Sequence, residues 1–178
     1  MPSQYVTISS HVIRLCVKRL KAGKGDGAYG FTSDHIINGT NRFYYMLSVL
    51  FNLMIIHGYT PYDLLKSTIV SIPKDSKASL SSSDNYRGIS LFNSICKLLD
   101  HVILYLYKDQ LQASDMQFGF KEGHSTTMCS LIYQEVVSHY ENGGSDVYSC
   151  LLDASKAFDR VHYGSLFKIV LNKTYVYC

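Results

Sequence analysis

The 178-residue sequence lacks several features that would each identify a class of protein. It contains no Cys-x-x-Cys spacing, no low-complexity tract, no internal repeat and no strong excess of charge. Its five cysteines are odd in number and widely scattered, which favours reduced thiols over a disulfide framework or a zinc site. We therefore expect no disulfide-linked partner.

A membrane-spanning run is also missing. The most apolar stretch, residues 43–56, is fourteen residues long and contains Ser48 and Asn52. Since a bilayer requires about 20 consecutive apolar residues, this stretch predicts a buried helix, with Tyr44, Tyr45 and Phe51 as core aromatics. Residues 1–11 are polar and lack the basic-then-apolar order of a signal peptide. We expect an intracellular protein, cytoplasmic or nuclear, with no membrane contact.

Charge is nearly balanced over the sequence as a whole but not along it. Seventeen Lys and Arg oppose fourteen Asp and Glu, and the net charge of +3 does not by itself indicate nucleic-acid binding. Five basic residues nevertheless fall within eleven positions. We name this group the basic cluster: Arg14, Lys18, Arg19, Lys21 and Lys24.

Hydrophobic periodicity predicts an α+β fold, with helices packed on small antiparallel strands. The predicted helices are 6–20, one beginning at Thr32 or Ser33, 41–57, 93–111, 125–142, and one from Ser155 or Tyr163 to about Leu171. The predicted strands are 67–72, 86–91 and 147–152. The first two strands flank a polar loop at 75–84, which indicates an antiparallel hairpin.

Asp153 directly follows the third predicted strand. A carboxylate at the end of a strand can bind a divalent cation together with substrate phosphates. Alternatively, Asp153 caps a helix that begins near Ser155. On these few residues alone, the cap interpretation is favoured.

Two basic residues lie on or beside the predicted hairpin. Lys74 follows its first strand, and Arg87 lies on its second. Such a pair could offset the charge of a triphosphate that a metal leaves uncovered. Taken alone, each residue is better explained as an ordinary surface charge, Arg87 at a strand edge and Lys74 in a solvated loop.

Four motifs follow one another along the chain: S-I-P-K at 71–74, N-Y-R-G-I-S-L-F-N at 85–93, Q-F-G-F-K-E-G-H-S-T-T at 117–127, and L-D-A-S-K-A-F-D at 152–159. This set resembles the reverse transcriptases of non-LTR (LINE-type) retrotransposons. Their motifs read I-P-K, Y-R-P-I-S-L, Q-x-G-F-R-x-G-x-S-T and D-x-x-K-A-F-D, in that order. The resemblance extends from about Val12 to Val161, with Gly88 in place of the usual proline.

The resemblance implies roles for the matching residues. Asp153 would be a catalytic, metal-binding aspartate, with the Ala154 backbone carbonyl as a further ligand. Lys74 and Arg87 would hold the triphosphate, and Phe158 would lie under the sugar and exclude a 2′-hydroxyl. The residues implied to lie along the template are Gln117, Gly119, Phe120 and Ser125.

Structural roles are expected for three residues in these motifs. Gly119 and Gly123 are expected to serve backbone geometry. Asp159 is expected to cap a helix or to form a local salt bridge in preference to binding metal.

The family also implies an architecture, cofactors and partners. Residues 1–65 would form an N-terminal helical extension of the fingers, 66–145 the fingers hairpin and helices, and 146–178 the start of the palm of a right-hand polymerase. The cofactor would be Mg²⁺ or Mn²⁺. The partners would be an RNA template, a DNA primer and a deoxynucleoside triphosphate (dNTP).

One family motif does not occur in this sequence. The [FY]-A-D-D segment supplies two further carboxylates, and the sequence contains no Asp-Asp pair. Two-metal phosphoryl transfer requires carboxylates that fix both ions. We therefore expect this chain alone to bind metal weakly or not at all and not to polymerise. The alternatives are a non-catalytic nucleic-acid-binding module and the remnant of a decayed retrotransposon.

Overall fold

The chain divides after Tyr107 into two units, Met1–Tyr107 and Lys108–Cys178. The computed structural model describes residues 7–25, 30–75, 81–111, 114–155 and 157–175, without the side chains of residues 84 and 173–175. The functional boundaries expected after residues 65 and 145 stay predictions.

The first unit contains five α-helices, a 3-10 turn and a two-stranded sheet among its described residues. In chain order these are α1 (Ser10–Val17), α2 (Ser33–Ile37), α3 (Asn41–His57), α4 (Tyr62–Leu65), β1 (Ser67–Pro73), the 3-10 turn Ser83–Asn85, β2 (Tyr86–Phe92) and α5 (Ser94–Leu106). Helices α1 and α5 are shorter than predicted, whereas α3 has its predicted bounds. Residues 6 and 76–80, which belong to the predicted first helix and polar loop, lie outside the described residues.

Helix α3 begins and ends where local capping dictates. The Thr40 hydroxyl accepts from the Phe43 backbone N–H at 3.4 Å, and Gly58 terminates the helix with a left-handed φ of 59°. Tyr44 and Phe51 are buried as predicted, but Tyr45 is 63% exposed, so its assignment to the core was wrong. A helix beside a core buries one face only, and Tyr45 lies on the other.

The two polar residues inside the apolar run of α3 bind the backbone before α1. Asn52 accepts from the Ile8 N–H at 2.9 Å and donates to the Ile8 carbonyl at 2.8 Å. The Ser48 hydroxyl donates to the same carbonyl at 2.9 Å. These bonds satisfy a buried backbone segment and fix α1 against α3. The buried apolar side chains around them are Ile8, Ile13, Cys16, Val17, Ile36, Tyr44, Leu47, Phe51, Met54, Leu98 and Val102.

The second unit contains two long helices, α6 (Thr126–Asn142) and α7 (Tyr163–Tyr175). Helix α6 is confirmed, with Ser125 as its N-terminal cap. Of the two predicted starts for the last helix, Tyr163 is right and Ser155 is wrong. None of the residues described between 114 and 172 is buried.

The strand predicted at 147–152 is wrong. The segment is not paired with any strand in the described part of the chain, and Leu152 is 95% exposed. A β-strand needs a neighbour for its N–H and C=O groups, which sequence propensity does not supply. The contact that holds the segment is instead a side-chain one, between the Tyr133 hydroxyl on α6 and the Ser149 hydroxyl at 2.7 Å. Across the described residues, no helix is long and apolar enough to cross a membrane.

Candidate functional site

The hairpin β1–β2 places Lys74 and Arg87 at the same end. The strands pair antiparallel, with Ile72 opposite Arg87 and Pro73 opposite Tyr86. The Lys74 N–H continues this ladder by donating to the Asn85 carbonyl at 2.6 Å. Lys74 directly follows the last residue of β1, and this bond places its backbone one position beyond the Pro73–Tyr86 pair. Both side chains are exposed.

The backbone that carries Lys74 is held by a side-chain clamp. The Asp75 N–H donates to Asn85 Oδ1 at 3.1 Å, and Asn85 Nδ2 donates to the Asp75 carbonyl at 2.9 Å. The side-chain amide of Asn85 therefore continues the hydrogen bonding between the two strands beyond the end of the sheet. This clamp fixes the position from which Lys74 projects.

In the second unit, residues 114–125 form a turn that leads into α6. Gln117 Nε2 donates to the Gly119 carbonyl at 2.9 Å. Ser125 accepts from the Met128 N–H at 3.1 Å and so serves as the cap of α6. Gly123 has a left-handed φ of 78°, which confirms its geometric role. Gly119 does not have a left-handed φ, and a Cβ there would meet nothing within 4 Å, so neither feature requires glycine and the geometric role of Gly119 stays a prediction.

Lys121 and Asp115 form a contact in this turn that the sequence did not reveal. Lys121 Nζ lies 2.9 Å from Asp115 Oδ1 and donates to the Ser114 carbonyl at 3.3 Å. The hydrogen bond and positive charge of Lys121 hold the pKa of the Asp115 carboxyl below its ordinary value. The motif has a basic residue at position 121, which was the one sequence signal for this contact. The spacing of the motif did not identify Asp115 as the partner of Lys121.

Phe120 and Phe158 lie in contact, although 37 residues separate them in the sequence. Their ring centroids are 6.4 Å apart with an interplanar angle of 87°, an edge-to-face arrangement. Phe120 is 98% exposed and Phe158 is 77% exposed. The structure therefore brings together a residue expected to lie along the template and the residue expected to lie under the sugar.

Asp153 and Ala154 are both exposed in a segment without regular structure. Since no helix begins near Ser155 in the part of the chain that the structure describes, the cap interpretation of Asp153 is wrong. In the described part of the chain, no three His, Cys, Asp or Glu side chains are grouped so that they could hold a metal ion. The described residues thus supply one carboxylate and do not fit a resident metal site.

Asp159 has neither of its expected structural roles among the described residues. It forms no salt bridge there, and its side chain is exposed. The start of α7 is capped by His162, whose Nδ1 accepts from the Ser165 N–H at 3.2 Å. His162 and not Asp159 therefore caps α7, whereas a local salt bridge of Asp159 stays a prediction, because Lys156 lies outside the described residues.

The expected site residues are divided between the two units. Lys74 and Arg87 belong to Met1–Tyr107, whereas Asp153 and the Phe120–Phe158 pair belong to Lys108–Cys178. Each group has a defined geometry within its own unit. The structure therefore describes the hairpin cations and the aromatic pair as two groups, one in each unit.

Comparison with known proteins gives consistent matches. The sequence pattern of the family "Reverse transcriptase (RNA-dependent DNA polymerase)" matches residues 72–175. The RNA-directed DNA polymerase from mobile element jockey of Drosophila funebris is 31% identical, over 94% of this chain and 19% of the relative. The probable RNA-directed DNA polymerases from transposon BS and transposon X-element of Drosophila melanogaster are 30% and 31% identical, each over 69% of this chain and 14% of the relative. The chain spans less than a fifth of the length of these relatives.

Proposed function

This chain belongs to the reverse transcriptase (RNA-dependent DNA polymerase) family, and from that premise we propose that it forms the nucleotide- and template-contacting part of such a polymerase. The resemblance to non-LTR retrotransposon enzymes is confirmed by the matching relatives. In this proposal residues 66–145 are the fingers and 146–178 the start of the palm. The chain binds a dNTP and an RNA template with its DNA primer.

The observation that carries the proposal is the placement of Lys74 and Arg87 at the same end of the hairpin. Two exposed cations at one end of a hairpin can contact phosphate groups of one triphosphate. The Asp75–Asn85 clamp fixes the backbone of Lys74, so less freedom is lost when it binds. The guanidinium of Arg87 adds planar, two-pronged hydrogen bonding to phosphate oxygens.

Equilibrium dialysis of the full chain with a labelled dNTP, an RNA template and a DNA primer tests this role. Hydrogen bonds to charged groups contribute about 1.5–3 kcal/mol, so Lys74→Ala and Arg87→Ala should each weaken dNTP affinity about tenfold or more. Arg42→Ala is the matched control, because Arg42 is an exposed arginine of the same unit outside the hairpin. Equal dNTP affinities for all three variants would contradict the proposed binding of the triphosphate by Lys74 and Arg87.

We further propose that the chain does not extend a primer by itself. Asp153 is one carboxylate, the described residues contain no metal-binding group of three, and the sequence contains no Asp-Asp pair. Divalent metals are general to the family. A primer-extension assay with Mg²⁺ and four dNTPs should give no product. A template-dependent product that Asp153→Ala abolishes would overturn this conclusion.

A second candidate function is non-catalytic binding of nucleic acid, and the distribution of charge favours it. Met1–Tyr107 contains eleven Lys and Arg against six Asp, a net charge of +5, whereas Lys108–Cys178 contains six against eight, a net charge of −2. All five residues of the basic cluster are exposed. The Ser33 hydroxyl donates to the Lys21 carbonyl at 2.6 Å and accepts from the Lys24 N–H at 3.1 Å, which anchors the loop that carries two of them.

A further inference from the structure

The ring of Phe120 is held against Phe158 by an unusual backbone conformation. Phe120 has a φ of 57°, the one left-handed φ among non-glycine residues that the structure describes. A side chain with a Cβ is disfavoured there by roughly 1–2 kcal/mol. Such outliers persist only where the surrounding structure enforces them, and they concentrate at functional sites.

Two contacts enforce this conformation, one on each side of Phe120. On the N-terminal side, the Gln117 amide holds the Gly119 carbonyl, which belongs to the peptide unit that joins Gly119 to Phe120. On the C-terminal side, Lys121 is anchored to Asp115 and to the Ser114 carbonyl. The turn is therefore fixed just before and just after Phe120, although the ring itself is exposed.

Solvent exposure argues against a role for this pair in core packing. Both rings are mostly exposed, and no residue described between 114 and 172 is buried. Neighbouring Phe118 shows the ordinary alternative, since it is half-buried and its ring packs against His124 at 5.6 Å. The conformation of Phe120 directs its ring away from that packing and against Phe158.

We infer that Phe120 is a positioning residue for Phe158 and thereby a determinant of sugar selection. The inference rests on the proposed function, in which Phe158 lies under the sugar of the incoming nucleotide. An exposed ring can rotate about its side-chain bonds, and a ring that yields cannot exclude a 2′-hydroxyl. The edge-to-face contact from Phe120 restricts that movement. Phe120 acts on the nucleotide only through Phe158.

The test compares dATP with ATP as ligands of the full chain. Equilibrium dialysis is carried out with Mg²⁺ and an RNA template–DNA primer whose next template base is uracil. The variants are Phe158→Ala, Phe120→Leu and Phe120→Tyr, with Phe118→Leu as the matched control in the same turn. In parallel, the aromatic proton shifts of Phe158 are recorded by NMR for wild type and for each position-120 and position-118 variant.

The wild type should bind dATP more tightly than ATP, and Phe158→Ala should remove the difference. Phe120→Leu should reduce the ratio of affinities by about two- to tenfold, the range that corresponds to one aromatic pair. It should also shift the Phe158 ring protons. Phe120→Tyr, which retains the ring, and Phe118→Leu should both keep the wild-type ratio.

Two different results would overturn two different claims. If Phe158→Ala loses discrimination but Phe120→Leu keeps it, the positioning role of Phe120 is wrong while the nucleotide role of Phe158 stands. If the wild type binds no dATP, or does not distinguish it from ATP, the proposed function itself is wrong and the inference fails with it. Unchanged Phe158 ring shifts in Phe120→Leu would overturn the contact between the two rings without reference to any nucleotide.

Discussion

Gly119 and Phe120 are adjacent residues with opposite backbone requirements. Gly119 lies in open space without a left-handed φ, whereas Phe120 has a left-handed φ of 57°. Alanine at position 119 restricts the unfolded chain at little cost to the folded one, so Gly119→Ala should raise the free energy of unfolding by about 0.4–1 kcal/mol. At position 120 glycine is favoured over alanine, because the left-handed φ disfavours a Cβ. Phe120→Gly should therefore have a free energy of unfolding about 1 kcal/mol higher than Phe120→Ala.

Urea unfolding of these three variants measures both differences. The comparison of Gly and Ala at position 120 removes the ring in both cases, so it isolates the backbone effect. The same order of stability at both positions would contradict the assigned backbone conformations.

The Lys121–Asp115 contact makes the turn sensitive to acid. The pKa of Asp115 is lowered in the folded chain, first by the hydrogen bond from Lys121 and then by its charge. Because the carboxyl pKa is lower in the folded chain, the ionised carboxyl stabilises the fold at pH values above its ordinary pKa of 3.8. This stabilisation is lost as the pH falls through the folded-state pKa. We therefore expect the contact to be intact at neutral pH and to break only in acid below that ordinary value.

An NMR titration of the Asp115 carboxyl carbon and of the Phe120 amide would record this transition. In Lys121→Ala the Asp115 pKa should rise toward 3.8, and the Phe120 amide should lose its dependence on that titration. Identical titration curves for wild type and variant would rule out the Lys121–Asp115 contact as the cause of the shift.

Ser125 combines an observed role as a helix cap with a proposed role beside the template. Its hydroxyl accepts from the Met128 N–H, so Ser125→Ala should destabilise α6 by about 1 kcal/mol. Ser125→Asp keeps a capping oxygen and adds a negative charge that the helix N-terminus tolerates but a template phosphate does not. We expect Ser125→Asp to fold like wild type and to bind RNA more weakly.

Circular dichroism on thermal unfolding and an RNA-binding titration separate these two roles. Thr40→Ala is the control, because it removes the equivalent cap of α3 outside the expected template segment. If Ser125→Asp binds RNA like wild type, Ser125 is a cap alone.

Elements defined by local signals were predictable from sequence. The bounds of α3 follow from Thr40 and Gly58, and the pairing of β1 with β2 follows from a β-branched run and a second short strand pattern on either side of a polar loop. The segment 147–152 shows the limit of such signals. Its residues favour a strand, but a strand exists only where another strand accepts its hydrogen bonds, and local propensity carries no information about that neighbour.

The candidate site was predictable to a similar extent. Lys74 and Arg87 were placed on one hairpin because strand registry follows from the pattern of the two runs. The Phe120–Phe158 pair was not predictable, since phenylalanine rarely adopts a left-handed φ and contacts across 37 residues are set by tertiary structure. The motifs predicted a role for each residue, whereas only the structure showed which residues it contacts.

At the scale of the whole molecule, packing and charge are both unequally distributed. Every buried apolar side chain among the described residues belongs to Met1–Tyr107, which also has the net positive charge. The basic cluster is thus attached to the unit with a packed core, on α1 and on a loop fixed by Ser33. A rigidly held group of cations is the arrangement expected for binding a phosphate backbone.

The salt dependence of RNA binding should therefore originate in the first unit. Replacement of Lys18, Arg19 and Lys21 by Gln should weaken binding of the full chain to a single-stranded RNA at low salt. It should also reduce the slope of log affinity against log salt by about 0.7 for each phosphate that is no longer neutralised. The matched control replaces Lys108, Arg160 and Lys168 by Gln, which removes the same charge from the second unit. Equal reductions of slope in the two triple variants would mean that net charge governs binding, whereas a reduction confined to the first would localise RNA binding to the basic cluster.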